Sequence, residues 1–178
     1  FIDEWGIGWR IPEKEGLYYD LYASPFTGEK TVSQAEAYPW PDARDPSRFA
    51  NISSRLQEIA AEGDFGITRH SFTSGVMEKF LRLRGFEDGF SDLLTDPELA
   101  CYLLDQLVEL KMCYWEEALK EADGRVDVVV EPDDLGTQSS LLISCELYRS
   151  ILMPRHKRLF SFIKQCAPNV KIFLHSCG

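Results

Sequence analysis

The apolar run at residues 126–131, V-D-V-V-V-E, constrains the fold more than any other stretch of the chain. A short run of branched apolar residues indicates a strand that is buried on both faces, as in parallel sheets. Two similar runs lie at residues 65–70 and 170–174, and amphipathic segments separate all three. This alternation predicts right-handed βαβ connections and a parallel sheet, so the predicted fold class is α/β.

The segments between these runs carry the signals of helices. Asp45 is followed by proline, which is typical of a cap and the first helical position. Periodic apolar residues predict further helices at residues 75–84 and 95–121. Ser144 is expected to cap a last helix that starts near residue 146, and Pro154 should kink or break that helix.

Residues 1–45 form an irregular, aromatic-rich segment with four prolines and no sustained period. We expect one short strand within it, near residues 16–22. A solvated loop rarely carries so many aromatic side chains, so the segment is expected to pack on the rest of the chain. The βα units then occupy residues 46–178.

Charge and composition exclude several classes of partner. The net charge of −10 argues against a nucleic acid or an anionic membrane surface. No apolar run approaches the ~20 residues that span a bilayer, and no basic-then-apolar leader is visible. Five cysteines without regular spacing indicate reduced thiols, which predicts a cytoplasmic protein. Because the chain starts with Phe1 rather than Met, we expect it to be a piece of a longer protein.

His175 and Cys177 are the candidate metal ligands. They stand two residues apart at the carboxyl end of the last predicted strand, so their side chains should point to the same side. Imidazole and thiolate are ligands suited to zinc. Two ligands do not make a site, and the alternative is a buried histidine beside a free cysteine.

Asp133 and Asp134 are the candidate catalytic residues, because they follow the carboxyl end of the 126–131 strand. Such carboxylates can bind a cation, accept substrate N–H groups or transfer protons. The alternative is a turn closed by a side-chain cap. Arg69 and His70 end the strand at residues 65–70, and for His70 we favour a hydrogen-bonded, partly buried role.

Cations fill residues 155–158, R-H-K-R, on the last predicted helix. Four consecutive residues spread around a helix axis, which favours a solvated face over an anion site.

Several motifs together resemble the uroporphyrinogen decarboxylase superfamily. They are D-D-L-G-T-Q-S-S-L-L-I-S, E-L-Y-R, M-P-R-H-K-R-L-F and the terminal H-S-C-G, with D-E-W-G-I-G-W near the start. The resemblance implies a TIM (β/α)8 barrel, of which residues 1–178 would be a single partial domain, incomplete at both ends. A whole barrel needs ~250 residues.

The superfamily contains metal-free decarboxylases of tetrapyrroles and cobalamin-dependent methyltransferases, such as those that methylate coenzyme M. The methyltransferases bind zinc through an H-x-C pair and a distant later cysteine. His175 and Cys177 match that pair, so the resemblance implies zinc-dependent methyl transfer from a methyl-corrinoid to a thiol. The third ligand would then lie beyond residue 178, and the chain alone would bind zinc weakly and be inactive.

Two alternatives stay open on this resemblance. One is a uroporphyrinogen decarboxylase of porphyrin biosynthesis, and the other is a non-catalytic relative that binds a corrinoid or tetrapyrrole. The expected partners are a small thiol or tetrapyrrole and a corrinoid protein. Unpaired strand edges in an incomplete barrel also predict a homo-oligomer or a marginally stable chain.

Overall fold

The computed structural model describes residues 1–12, 16, 18–95 and 97–177. Its strands are β1 (Gly8–Arg10), β2 (Asp20–Ala23), β3 (Thr68–His70), β4 (Val128–Pro132) and β5 (Lys171–His175). Its helices are α1 (Val32–Glu36), α2 (Ile52–Glu62), α3 (Val76–Arg84), α4 (Phe86–Thr95), α5 (Pro97–Ala122), α6 (Cys145–Leu147) and α7 (Met153–Cys166). Among the helices of these ranges, none has both the length and the apolarity that crossing a membrane requires.

The three predicted strands form one parallel sheet, in the order β3–β4–β5. Val130 lies beside His70 on one side and beside Phe173 on the other. The prediction of a parallel sheet is therefore confirmed. Because all three strands run the same way, their carboxyl ends lie at the same end of the sheet, which we call the rim.

Helix α5 forms the centre of the core. Its leucines at positions 99, 103, 107 and 119 recur at helical spacing, and all are buried. The helix packs against α2, α3, α4 and α7. Its polar residue Lys111 is fully buried and donates to Glu131 of β4 at 2.6 Å and to Ser71 at 2.8 Å. Trp115 also donates to Glu131, so both oxygens of this buried carboxylate are satisfied.

Strand β5 differs from the sequence prediction, which expected a buried strand. Phe173 is 55% exposed and Leu174 is 38% exposed. The reason is position, because β5 is an edge strand of the sheet and pairs only with β4 among the described residues. The apolar run shows that these side chains are suited to burial. The described part of the chain, however, does not cover them.

The aromatic segment packs on the core, as predicted. Trp5 and Phe26 are buried, and the ring of Trp5 lies 5.6 Å from that of Phe72, which follows β3. The strand expected near residues 16–22 is β2, although part of that range lies outside the described residues. Its antiparallel partner β1 was not predicted.

The last helix starts at the predicted cap, since the Ser144 hydroxyl accepts the N–H of Leu147. Pro154 does not break it. A π turn at Tyr148–Leu152 joins α6 to α7, and the N–H of Met153 donates to the carbonyl of Tyr148, five residues back. The wider turn lies directly before Pro154, where a proline removes one hydrogen bond from the helix.

Candidate metal site at the rim of the sheet

The carboxyl ends of β4 and β5 are joined beyond the last paired residues. Pro132 lies beside His175 in the parallel register. The N–H of Asp133 then donates to the carbonyl of His175 at 2.7 Å, and the N–H of Leu135 donates to the Ser176 hydroxyl at 3.2 Å. The two chain segments that carry the candidate residues are therefore held side by side.

Three potential ligands meet at this point, namely Asp134, His175 and Cys177. One ligand atom from each lies within 4.8 Å of the other two. His175 Nε2 is 3.3 Å from Cys177 Sγ and 3.9 Å from Asp134 Oδ1. Two ligands of a tetrahedral zinc ion lie ~3.5 Å apart, given Zn–N and Zn–S bonds of ~2.1 and ~2.3 Å. The donor types suit zinc, and the separation of His175 Nε2 and Cys177 Sγ is close to that of two ligands on one ion.

Asp134 also affects the protonation of the Cys177 thiol. Its Oδ1 accepts the backbone N–H of Cys177 at 2.8 Å. Hydrogen bonding to the Asp134 carboxylate, and then its negative charge, raise the pKa of the Cys177 thiol. A bound dication reverses this preference, because a coordinating thiol is deprotonated by the metal.

The cluster is open to solvent. Cys177 is exposed, and the side chains of His175 and Asp134 are 52% and 37% exposed. A catalytic zinc site needs a position that an exogenous ligand can reach. The exposed side of the three residues provides such an approach.

Asp133 lies apart from this cluster although it is adjacent in sequence. It is buried, and its oxygens accept the N–H groups of Met77 and Glu78 at 3.1 Å each. The structure thus separates the two candidate carboxylates. Asp134 faces the ligand cluster, and Asp133 caps the amino end of α3.

His156 is a residue that the sequence reasoning missed. It is buried, and its Nε2 lies 2.8 Å from Asp133 Oδ2. The interpretation of residues 155–158 as a solvated face is therefore wrong for this histidine. Its neighbours Arg155 and Arg158 pair with Asp105 and Glu109 of α5.

A signal for His156 was present in the sequence. Leu152, His156, Leu159 and Ile163 are spaced by four, three and four residues, so they share the buried face of the helix. The run of cations obscured that face.

The candidates on β3 do not join the cluster. Arg69 donates through Nε to the hydroxyl of Tyr114 at 3.0 Å. His70 is exposed, so the expected partly buried role is wrong. The reason is again position, because β3 is the other edge strand of the described sheet.

No protein-family model matches the chain, and no curated protein matches it. Among solved structures, the chain is similar to a methyltransferase from Methanosarcina mazei, with a TM-score of 0.68 and 16% identity. The likeness covers 99% of this chain and 48% of that one, so the chain spans about half the length of that structure. At this identity the likeness shows a shared fold.

Proposed function

We propose that the chain is part of a (β/α)8-barrel methyltransferase that uses zinc to transfer a methyl group from a methyl-corrinoid to a thiol. The observation that carries the proposal is the convergence of His175, Cys177 and Asp134 at the rim of a parallel sheet. Rims of this kind hold the active sites of barrel enzymes. The fold shared with a methyltransferase supports the type of reaction.

The barrel itself is part of the proposal. Strands β3 and β5 each pair with one neighbour among the described residues, so each offers an edge for another strand. By alternation, His70, Val130 and Phe173 form a row across the sheet face away from α5. Val130, in the middle of the row, is buried, whereas Phe173 at its end is exposed. Further strands would close this face into a barrel interior.

In the proposed site, His175 and Cys177 are ligands and Asp134 is the third group. Zinc held there would stabilise the acceptor thiol as its thiolate. A thiol bound there would lose its proton to solvent, and a methyl-corrinoid would supply the methyl group that its sulfur accepts. The resemblance also implies a later cysteine ligand. Asp134 would occupy that place or lie beside it.

Cobalt substitution tests the proposal, because Co²⁺ bound by a thiolate gives an intense near-ultraviolet absorption band. We expect the wild-type protein to show this band and Cys177→Ser to lose it. Cys145→Ser is the matched control, since Cys145 is also exposed but lies at the start of α6. In the full-length protein, methyl transfer from methylcobalamin to a small thiol should follow the same pattern.

The same variants address the alternatives. A metal-free decarboxylase would keep porphyrinogen turnover in Cys177→Ser. A non-catalytic relative would bind a corrinoid or tetrapyrrole without turnover. Either result would replace the proposed reaction.

A further inference from the structure

The buried pair Asp133–His156 is linked to four elements that surround the rim. Asp133 Oδ2 accepts from His156 Nε2 of α7 at 2.8 Å and from Met77 N of α3 at 3.1 Å, and Oδ1 accepts from Glu78 N at 3.1 Å. The backbone of Asp133 continues β4, and its N–H donates to the carbonyl of His175 in β5 at 2.7 Å. One residue, through its side chain and its backbone, therefore ties two helices to the ends of two strands.

Close approach of α3 makes this arrangement tight. Gly75 precedes α3, and a Cβ there would overlap Asp133 Oδ1 and the carbonyl oxygen of Pro132. Only glycine lets the helix end reach the carboxylate. The amino end of α3 thus directly contacts the residues that precede Asp134, namely Pro132 and Asp133.

His156 is fixed on its other side as well. Its ring stacks on Phe160 with centroids 5.6 Å apart, and its Nδ1 lies 3.4 Å from the hydroxyl of Tyr148. Tyr148 belongs to the π turn that joins α6 to α7. A carboxylate only accepts hydrogen bonds, so the proton between Asp133 and His156 is on Nε2.

We infer that Asp133 and His156 are positioning residues for the metal site, an inference that rests on the proposed function. Asp134 follows Asp133 directly and holds the N–H of Cys177. Fixing the backbone of Asp133 therefore fixes where the Asp134 carboxylate and the Cys177 thiol stand. Loss of a residue that orients a metal ligand without binding the metal typically lowers metal affinity by about 10–100-fold.

The test compares His156→Leu with His156→Gln, using Zn²⁺ and a competing chelator. Leucine removes the donor, whereas the glutamine amide can still donate to Asp133. We expect about a tenfold or greater loss of zinc affinity in His156→Leu, and affinity close to wild type in His156→Gln. If the leucine variant does not fold, His156→Asn replaces it, since the shorter amide does not reach the carboxylate.

Asp92→Asn separates positioning from general destabilisation. Asp92 of α4 pairs with the buried Arg84 at 2.7 Å. Arg84 is the last residue of α3, at the opposite end of the helix from the contact with Asp133. We expect this variant to lose stability and to keep wild-type zinc affinity. Equal losses of affinity in Asp92→Asn and His156→Leu, or unchanged affinity in His156→Leu, would overturn the inference.

A metal-free readout keeps the inference distinct from the proposed function. If the wild-type protein binds no zinc, the proposed function fails by itself. Hydrogen exchange of the Cys177 amide then decides the inference. Faster exchange in His156→Leu than in wild type and Asp92→Asn supports the positioning role, and an equal rate overturns it.

Discussion

His175 Nε2 and Cys177 Sγ lie 3.3 Å apart at the end of β5, and the Asp134 carboxylate from the end of β4 lies beside them. The two residues share a side because strand side chains repeat every two positions. Asp134 joins them because the parallel strands β4 and β5 both end at the rim. The candidate site thus follows from strand alternation and from the parallel register.

The buried pair of Lys111 and Glu131 yields a stability prediction. Lys111→Met leaves the Glu131 charge buried with Trp115 as its remaining donor. Breaking a buried pair on one side typically costs about 3–5 kcal/mol. Urea unfolding should show a loss of this size, and Lys111→Met combined with Glu131→Gln should recover much of it.

Lys120 provides the control for that experiment. It pairs with Glu117 at 3.5 Å on an exposed surface. Exposed pairs contribute about 0–1 kcal/mol. A loss in Lys120→Met as large as in Lys111→Met would contradict the assignment of the effect to burial.

Lys79 predicts how stability depends on pH. The residue is buried with its amine 4.8 Å from the ring of Trp5, and burial lowers its pKa from 10.5 to about 8. Below pH 8 the folded protein bears the cost of a buried charge, and above pH 10.5 the amine is neutral in both states. Relative to Lys79→Met, the wild type should therefore gain stability between about pH 8 and pH 10.5.

The comparison is made as a difference in the free energy of unfolding, because tyrosines and cysteines titrate over the same range. The expected change in that difference is up to about 3 kcal/mol. Parallel stability curves for the wild type and Lys79→Met across this range would contradict the prediction.

The sequence predicted the elements of the core better than it predicted their surroundings. The three strands of the parallel sheet, the long helix α5 and the cap at Ser144 follow from local patterns, and the structure confirms them. Burial of β5 and of His70 depends on which strands lie next to them, and an apolar run carries no information about that. Strand β1, which pairs with β2, was missed because a short strand with glycine and aromatic residues shows little periodicity.

At the candidate site, local patterns were equally incomplete. They placed His175, Cys177, Asp133 and Asp134 at strand ends, but they did not distinguish the two aspartates. Which carboxylate turns inward is decided by α3 and by His156, which are distant in sequence. The helical spacing indicates that His156 is buried, but its pairing with Asp133 appears only when α7 is packed against the sheet.

The open edge of β5 predicts self-association. Phe173 is exposed on this edge strand, and unpaired strand edges are templates for pairing with another chain. We expect the apparent mass in size-exclusion chromatography to rise with protein concentration. Phe173→Glu should reduce the effect, because a charge on an edge strand opposes pairing.

Leu94→Glu is the matched control, since Leu94 is also exposed but lies on α4. It should associate like the wild type. A wild-type protein that stays monomeric at every concentration, or equal effects of the two substitutions, would disprove a role for the β5 edge.

Zinc content tests the central claim most directly. The full-length barrel protein is incubated with Zn²⁺, passed through a desalting column and analysed for metal by mass spectrometry, as the wild type and as the variants His175→Ala, Cys177→Ser and Cys145→Ser. We predict equimolar zinc in the wild type and in Cys145→Ser, and little in the other two. Equal zinc in the wild type and Cys177→Ser, or none in the wild type, would contradict the account.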